Sequence, residues 1–119
     1  MSGLIRVVRV TVDGEIEVRQ VENDAGSLHD LIGGYMEVIY CKGLTSDPMN
    51  SVIGLVDEDG WRQPRPVNPW SYIFYRSLIA GPIVLVRAAP DGDFVSLTDR
   101  DISDIQATVG PFSLTTIEP

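Results

Sequence analysis

The chain of 119 residues has one cysteine, Cys41, and one histidine, His29. A lone cysteine closes no internal disulfide, so no disulfide framework holds the fold. A zinc site of Cys and His ligands would be two ligands short of four-coordination. Long hydrophobic runs are missing too. No stretch nears the roughly 18 apolar residues of a transmembrane helix. The apolar opening from Met1 to Val12 is broken by Arg6 and Arg9, unlike the uncharged core of a signal peptide. The expected location is therefore cytoplasmic, and the expected state soluble. Positive charge is also scarce. Nine Lys and Arg stand against seventeen Asp and Glu, a net charge of −8. So acidic a surface repels phosphate backbones and anionic lipid, which argues against sequence-independent nucleic-acid binding and against membrane binding.

Catalytic signatures are missing as well. There is no GxGxxG or Walker pattern, and Gly33-Gly34 closes a helical stretch where a phosphate loop would open one. Cys41 ends a strand-like segment and His29 lies on the polar side of a short helix. Nothing in the sequence brings them together as a nucleophile and base, so Cys41 is expected to pack rather than react. No catalytic residue, metal ligand set or cofactor is assigned.

What is present is an ordinary globular composition, 44% apolar and 22% charged, at the size of one domain. Residues 1–111 are read as that domain and 112–119 as a loose tail. Leu4 to Val12 is rich in β-branched residues and predicts a strand. Asp13-Gly14 is a two-residue hairpin signal leading into a half-buried strand, Glu15 to Val21. Asp24 to Ile32 predicts a short helix, with either Asp24 or Ser27 as its cap and Leu28, Leu31 and Ile32 as its apolar stripe. Tyr35 to Cys41 and Ser51 to Val56 predict strands around a loop, and Asn68-Pro69 opens a helix carrying Trp70, Ile73 and Phe74 up to Gly81-Pro82. Ile83 to Val86 is the candidate central strand. Thr98 and Asp101 have capping-box spacing ahead of Ile102, Ile105 and Val109. The fold class is α+β, an antiparallel-rich sheet opened by a β-hairpin, with two or three short helices packed over one face. Its expected core is Val7, Leu28, Leu31, Val38, Ile53, Val84, Leu85, Ile102 and Ile105.

Two segments carry candidate chemistry. Asp57-Glu58-Asp59-Gly60 either chelates a hard cation or is a solvated turn. Trp61-Arg62-Gln63-Pro64-Arg65 sets two cations beside an aromatic and is the most partner-like stretch. It is either a grip for a phosphate or acidic surface, or a solvated Pro-rich edge.

From about residue 24 to 105 the chain resembles a family of small bacteriophage and mobile-element proteins known as domain of unknown function 3846. The resemblance rests on Leu31-Ile32-Gly33-Gly34-Tyr35 with Glu37, on Asp57 to Gly60, and on Pro66-Val67-Asn68. It continues through Ile79-Ala80-Gly81, the strand Ile83 to Val86, and Asp91 to Ile102. Pro69-Trp70 departs from the polar or small residues usual after that Asn. The resemblance implies a phage or mobile-element setting and supplies no reaction. Turn and cap chemistry leaves Tyr35 and Glu37 the least explained of these residues. The expected binding surface is therefore Tyr35, Glu37, Asn68 and Trp70, with Trp61, Arg62 and Arg65 beside it. The leading functional expectation is a non-enzymatic binder of a host protein. The alternative is a nucleotide-sequestering module using Arg62, Arg65 and Trp70 or Tyr35, and an enzyme comes third.

Overall fold

The computed structural model describes residues 3–40, 52–60 and 65–117. Cys41, Trp61 and Arg62 lie outside the described residues. The elements run β1 (Leu4–Val10), β2 (Ile16–Glu22), α1 (Ala25–Ile32), β3 (Met36–Tyr40), β4 (Val52–Asp57), α2 (Ser71–Tyr75), β5 (Ile83–Ala88), β6 (Phe94–Val95), α3 (Asp99–Val109) and β7 (Leu114–Ile117). This is a mixed α+β fold. One sheet has the order β3-β4-β5-β1-β2-β7, with β6 also pairing with β5. Among the described residues every strand pairing is antiparallel except β2 with β7. No helix among the described residues is long and apolar enough to cross a membrane.

The apolar run Ile83 to Val86 is buried throughout and lies between β4 and β1, as a strand covered on both faces must. Alternation along the strands sorts their side chains into two cores. Val8, Val10, Ile16, Val52, Val56, Ile83 and Leu85 meet α2 and α3 on one face. Ile5, Val7, Ile53, Leu55, Val84 and Val86 meet Leu28 and Ile32 of α1 on the other. The helices therefore cover both faces, not one. Two fully apolar faces on β4 and β5 require this, because a single helical layer would leave half of each strand in water.

Four local expectations are corrected. Asp13-Gly14 sits in a longer loop, in which the Thr11 amide donates to the Glu15 carbonyl and the Gly14 amide to the Thr11 carbonyl. The helix opened by Asn68-Pro69 is one turn, ending at Arg76, which takes the left-handed conformation at φ 60°. Val38 is not core: it lies on β3, the outermost strand of its side of the sheet among the described residues, and is 46% exposed. The segment read as a loose tail supplies β7, registered from Ile16↔Leu114 to Arg19↔Ile117.

Candidate functional site

Helix α1 and the turn after it organise the surface around Tyr35 and Arg65. Asp24 caps the helix, its side chain accepting from the Ser27 amide at 2.7 Å. Gly33 closes it in the left-handed region at φ 79°. Gly34 is required for a different reason: a Cβ there would collide with the Asp57 carboxylate. That carboxylate is buried. Its Oδ1 accepts from the Asp59 amide at 2.9 Å, and its Oδ2 lies 3.0 Å from Arg65 Nε as an ion-pair contact off the hydrogen-bond axis. Asp57 thus orders its own turn and pairs with an arginine, which favours the turn reading of residues 57–60 over the chelating one.

Arg65 is held by the fold. Besides Asp57, its Nη1 donates to the Ile32 carbonyl at 3.3 Å and its Nη2 to the Gly33 carbonyl at 2.6 Å. Arg9 donates from Nε to the Leu31 carbonyl at 3.1 Å. Two guanidinium groups therefore satisfy the last carbonyls of α1, where the helix dipole is negative and orphan acceptors gather. Beyond that helix end a cleft of about 450 Å³ opens between α1, the β1–β2 loop, Arg65-Pro66 and Gly81-Pro82. Asp13, Glu15, Glu17 and Asp30 contribute to its wall.

The four residues expected to share a binding surface divide into two pairs. Tyr35 is 72% exposed, its ring edge-on to His29 of α1 with centroids 6.0 Å apart. Glu37 is exposed on β3, opposite Val56. Asn68 and Trp70, by contrast, are 1% and 8% exposed. Asn68 Nδ2 donates to the Val10 and Gly81 carbonyls at 3.0 and 3.1 Å, and its Oδ1 accepts from the Trp70 amide. Trp70 Nε1 donates to the Gly14 carbonyl at 2.9 Å, and its ring meets Phe112 edge-on. Asn68 and Trp70 thus stitch α2 to the hairpin and are removed from the expected contact surface. Burying both is the physical reason: a large ring and an amide with internal partners gain more inside than on an edge. Trp70→Phe is expected to lower stability by about 1–2 kcal/mol, by leaving the Gly14 carbonyl without its donor. Denaturant unfolding checks this.

Sequence reasoning missed Val38 and Tyr40 as surface residues, and Arg9 with Glu17 as a pair. Counting outward from Asp13-Gly14 as a two-residue turn would pair Arg9 with Val18; the longer loop shifts the register by one residue and sets Arg9 opposite Glu17. The exposure of β3 was not legible either, because it depends on strand order.

A family model described as Domain of unknown function (DUF3846) matches residues 5–110 of the chain. No curated protein and no solved structure matches it.

Proposed function

We propose that this chain, which belongs to the DUF3846 family, is a non-enzymatic binding domain for a partner protein, taking an extended, basic segment of that partner along the outer edge of β3. A host protein is the partner in keeping with the phage or mobile-element setting that the sequence resemblance implies. The observation that carries the reading is the exposure of large side chains on and beside a terminal strand: Tyr35 at 72%, Tyr40 at 62% and Val38 at 46%. Among the described residues β3 pairs with β4 alone. A strand edge offers a row of main-chain donors and acceptors, and alternating side chains give it specificity. Tyrosines supply contact area at a low entropic cost. The net charge of −8 favours a basic segment over a second copy of this acidic chain. The nucleotide reading is less well supported, because Arg65 and Trp70 are engaged inside the fold.

A photo-crosslinking residue at Tyr40 is expected to capture a partner that the same group at exposed Gln20 of β2 does not. Tyr35→Ala/Tyr40→Ala should then weaken binding of that partner, once purified, by about 2 kcal/mol, roughly thirtyfold in Kd. The melt should stay within about 0.5 kcal/mol of wild type, since both rings are exposed. Equal capture at both positions, or an unchanged Kd, removes β3 as the contact surface.

A further inference from the structure

Residues 61–90 hold no aspartate or glutamate, although the chain has seventeen, and they carry four of its nine cations. Arg65 and Arg87 of that stretch are spent on Asp57 and Asp101. Arg76 is not. It is exposed, and its guanidinium has no partner among the described residues. It also takes the left-handed conformation at φ 60°, which glycine adopts freely and an arginine does not. Around it lies an apolar surface. α2 turns Ser71, Phe74 and Tyr75 inward and leaves Tyr72, Ile73 and Arg76 exposed, with Tyr72 and Arg76 four apart and so neighbours. Beyond Arg76 the chain doubles back: the Asn68 amide donates to the Ile79 carbonyl at 2.7 Å, and Val67 bridges Ala80. That return sets the segment carrying Leu78 alongside the one carrying Val67. Nine large hydrophobic side chains are exposed among the described residues. Four of them, Val67, Tyr72, Ile73 and Leu78, gather here, more than at β3.

We infer that this outer face of α2 docks an acidic segment of a partner protein, whose carboxylate meets Arg76 while its apolar side chains cover Tyr72, Ile73 and Leu78. The contact is separate from the β3 edge and has the opposite charge preference. Charge complementarity selects the occupant. A second copy meeting this face across a two-fold axis would present the same patch, which has no carboxylate to answer Arg76. A nucleic acid would need several cations along its phosphates, and one stands on this face, in a chain of net charge −8. A carboxylate beside an apolar side chain matches both parts of the surface, and Arg76 gains a charge-assisted bond from it. Aromatic and arginine side chains together are also the composition from which binding hot spots are built. The strained backbone at Arg76 fits a side chain kept for contact, since a glycine would close α2 more cheaply.

The test is selection of a displayed library of random peptides on the immobilised full chain, each selected peptide then being titrated against variants. Peptides that lose binding to Ile73→Ser/Leu78→Ser are expected to carry Asp or Glu next to Leu or Phe. Arg76→Gly should weaken those same peptides about tenfold, the scale of one charge-assisted bond. Its melting temperature should be unchanged or raised, a split that a merely structural role for Arg76 would not produce. Arg76→Gly also serves as the second reading should the double variant fail to fold. Peptides that instead lose binding to Tyr35→Ala/Tyr40→Ala report the β3 edge and are expected to be basic, so the two surfaces fail separately. The inference is overturned if no selected peptide depends on the α2 face, if those that do are basic or uncharged, or if Arg76→Gly binds them as wild type does. It is equally overturned if sedimentation shows the chain self-associating and Ile73→Ser/Leu78→Ser disperses it, because the occupant would then be a second copy.

Discussion

Gly54→Ala is expected to lower unfolding stability by about 3 kcal/mol or more, at the upper end of what overpacking produces. Gly54 lies in β4, registered with Ile39 of β3 on one side and Leu85 of β5 on the other. The hydroxyl end of Tyr75, from α2, occupies the space a Cβ would need. Tyr75 is itself 4% exposed, so its ring has no free volume to swing into. Relief would require α2 to lift from the sheet or β4 to bend. A double-mutant cycle checks the mechanism. Tyr75→Ala alone should cost about 3 kcal/mol as a large buried truncation, and the double variant should lose clearly less than the sum of the two singles, since removing the ring removes the collision. Because Gly54 registers with Ile39, Gly54→Ala should also disturb β3 and weaken any partner held there. Stability within about 0.5 kcal/mol of wild type for Gly54→Ala would show that Tyr75 does not occupy that position.

The same glycine shows where sequence reading stops. β4 and β5 are legible as strands because β-branched and aliphatic residues run without a polar break. The capping box at Thr98 and Asp101 and the left-handed stop at Gly33 are legible because they are local. What Gly54 is for depends on a ring contributed 21 positions later, and no periodicity carries that. Strand order has the same character. Nothing in Met36 to Tyr40 distinguishes an outer strand from an inner one, so Val38 reads as core although β3 lies at the margin and leaves it exposed. The segment 112–119 reads as loose because Leu114-Thr115-Thr116-Ile117 is short and weakly apolar. It gains its order from a parallel partner, β2, nearly a hundred residues earlier.

The candidate sites divide along the same line. Tyr35 stands out because its surroundings are turn residues and no turn needs a tyrosine, and the structure leaves it exposed. Asn68 and Trp70, at a capped helix start expected to project from the domain edge, are instead spent on the Val10, Gly81 and Gly14 carbonyls, partners 58, 13 and 56 positions away. Arg65 looks like a free cation in an acidic chain. It is bound because α1 ends in its reach, 32 residues earlier, with carbonyls that need donors. A side chain that is conspicuous in sequence therefore has two fates here, and only long-range packing decides between surface and stitch.

A buried, bidentate ion pair joins α3 to β5. Asp101 is buried at the first turn of α3 and takes a two-pronged contact from Arg87 of β5, with Nε to Oδ2 at 2.7 Å and Nη2 to Oδ1 at 2.6 Å. The Thr98 amide adds a third bond to Oδ2 at 2.8 Å, completing the capping box. Burial by itself works against the ionised form. The bonds from Arg87 and Thr98, with the Arg87 charge, more than offset it, so the carboxyl sits below its ordinary range. Asp101→Ala removes the cap and leaves Arg87 without its carboxylate, and is expected to cost about 3–5 kcal/mol at neutral pH. The sign of the pH dependence follows from the lowered value. The folded state holds the ionised carboxylate more firmly than the unfolded chain does. Its contribution is therefore complete above the unfolded value of about 4 and is lost as pH falls through the folded one. Denaturant unfolding of wild type and Asp101→Ala should thus differ most near neutrality, with the gap narrowing only below about pH 4. A gap that stays constant down to pH 2–3, well below the unfolded value, would mean that Asp101 holds α3 by packing alone and that its charge contributes nothing.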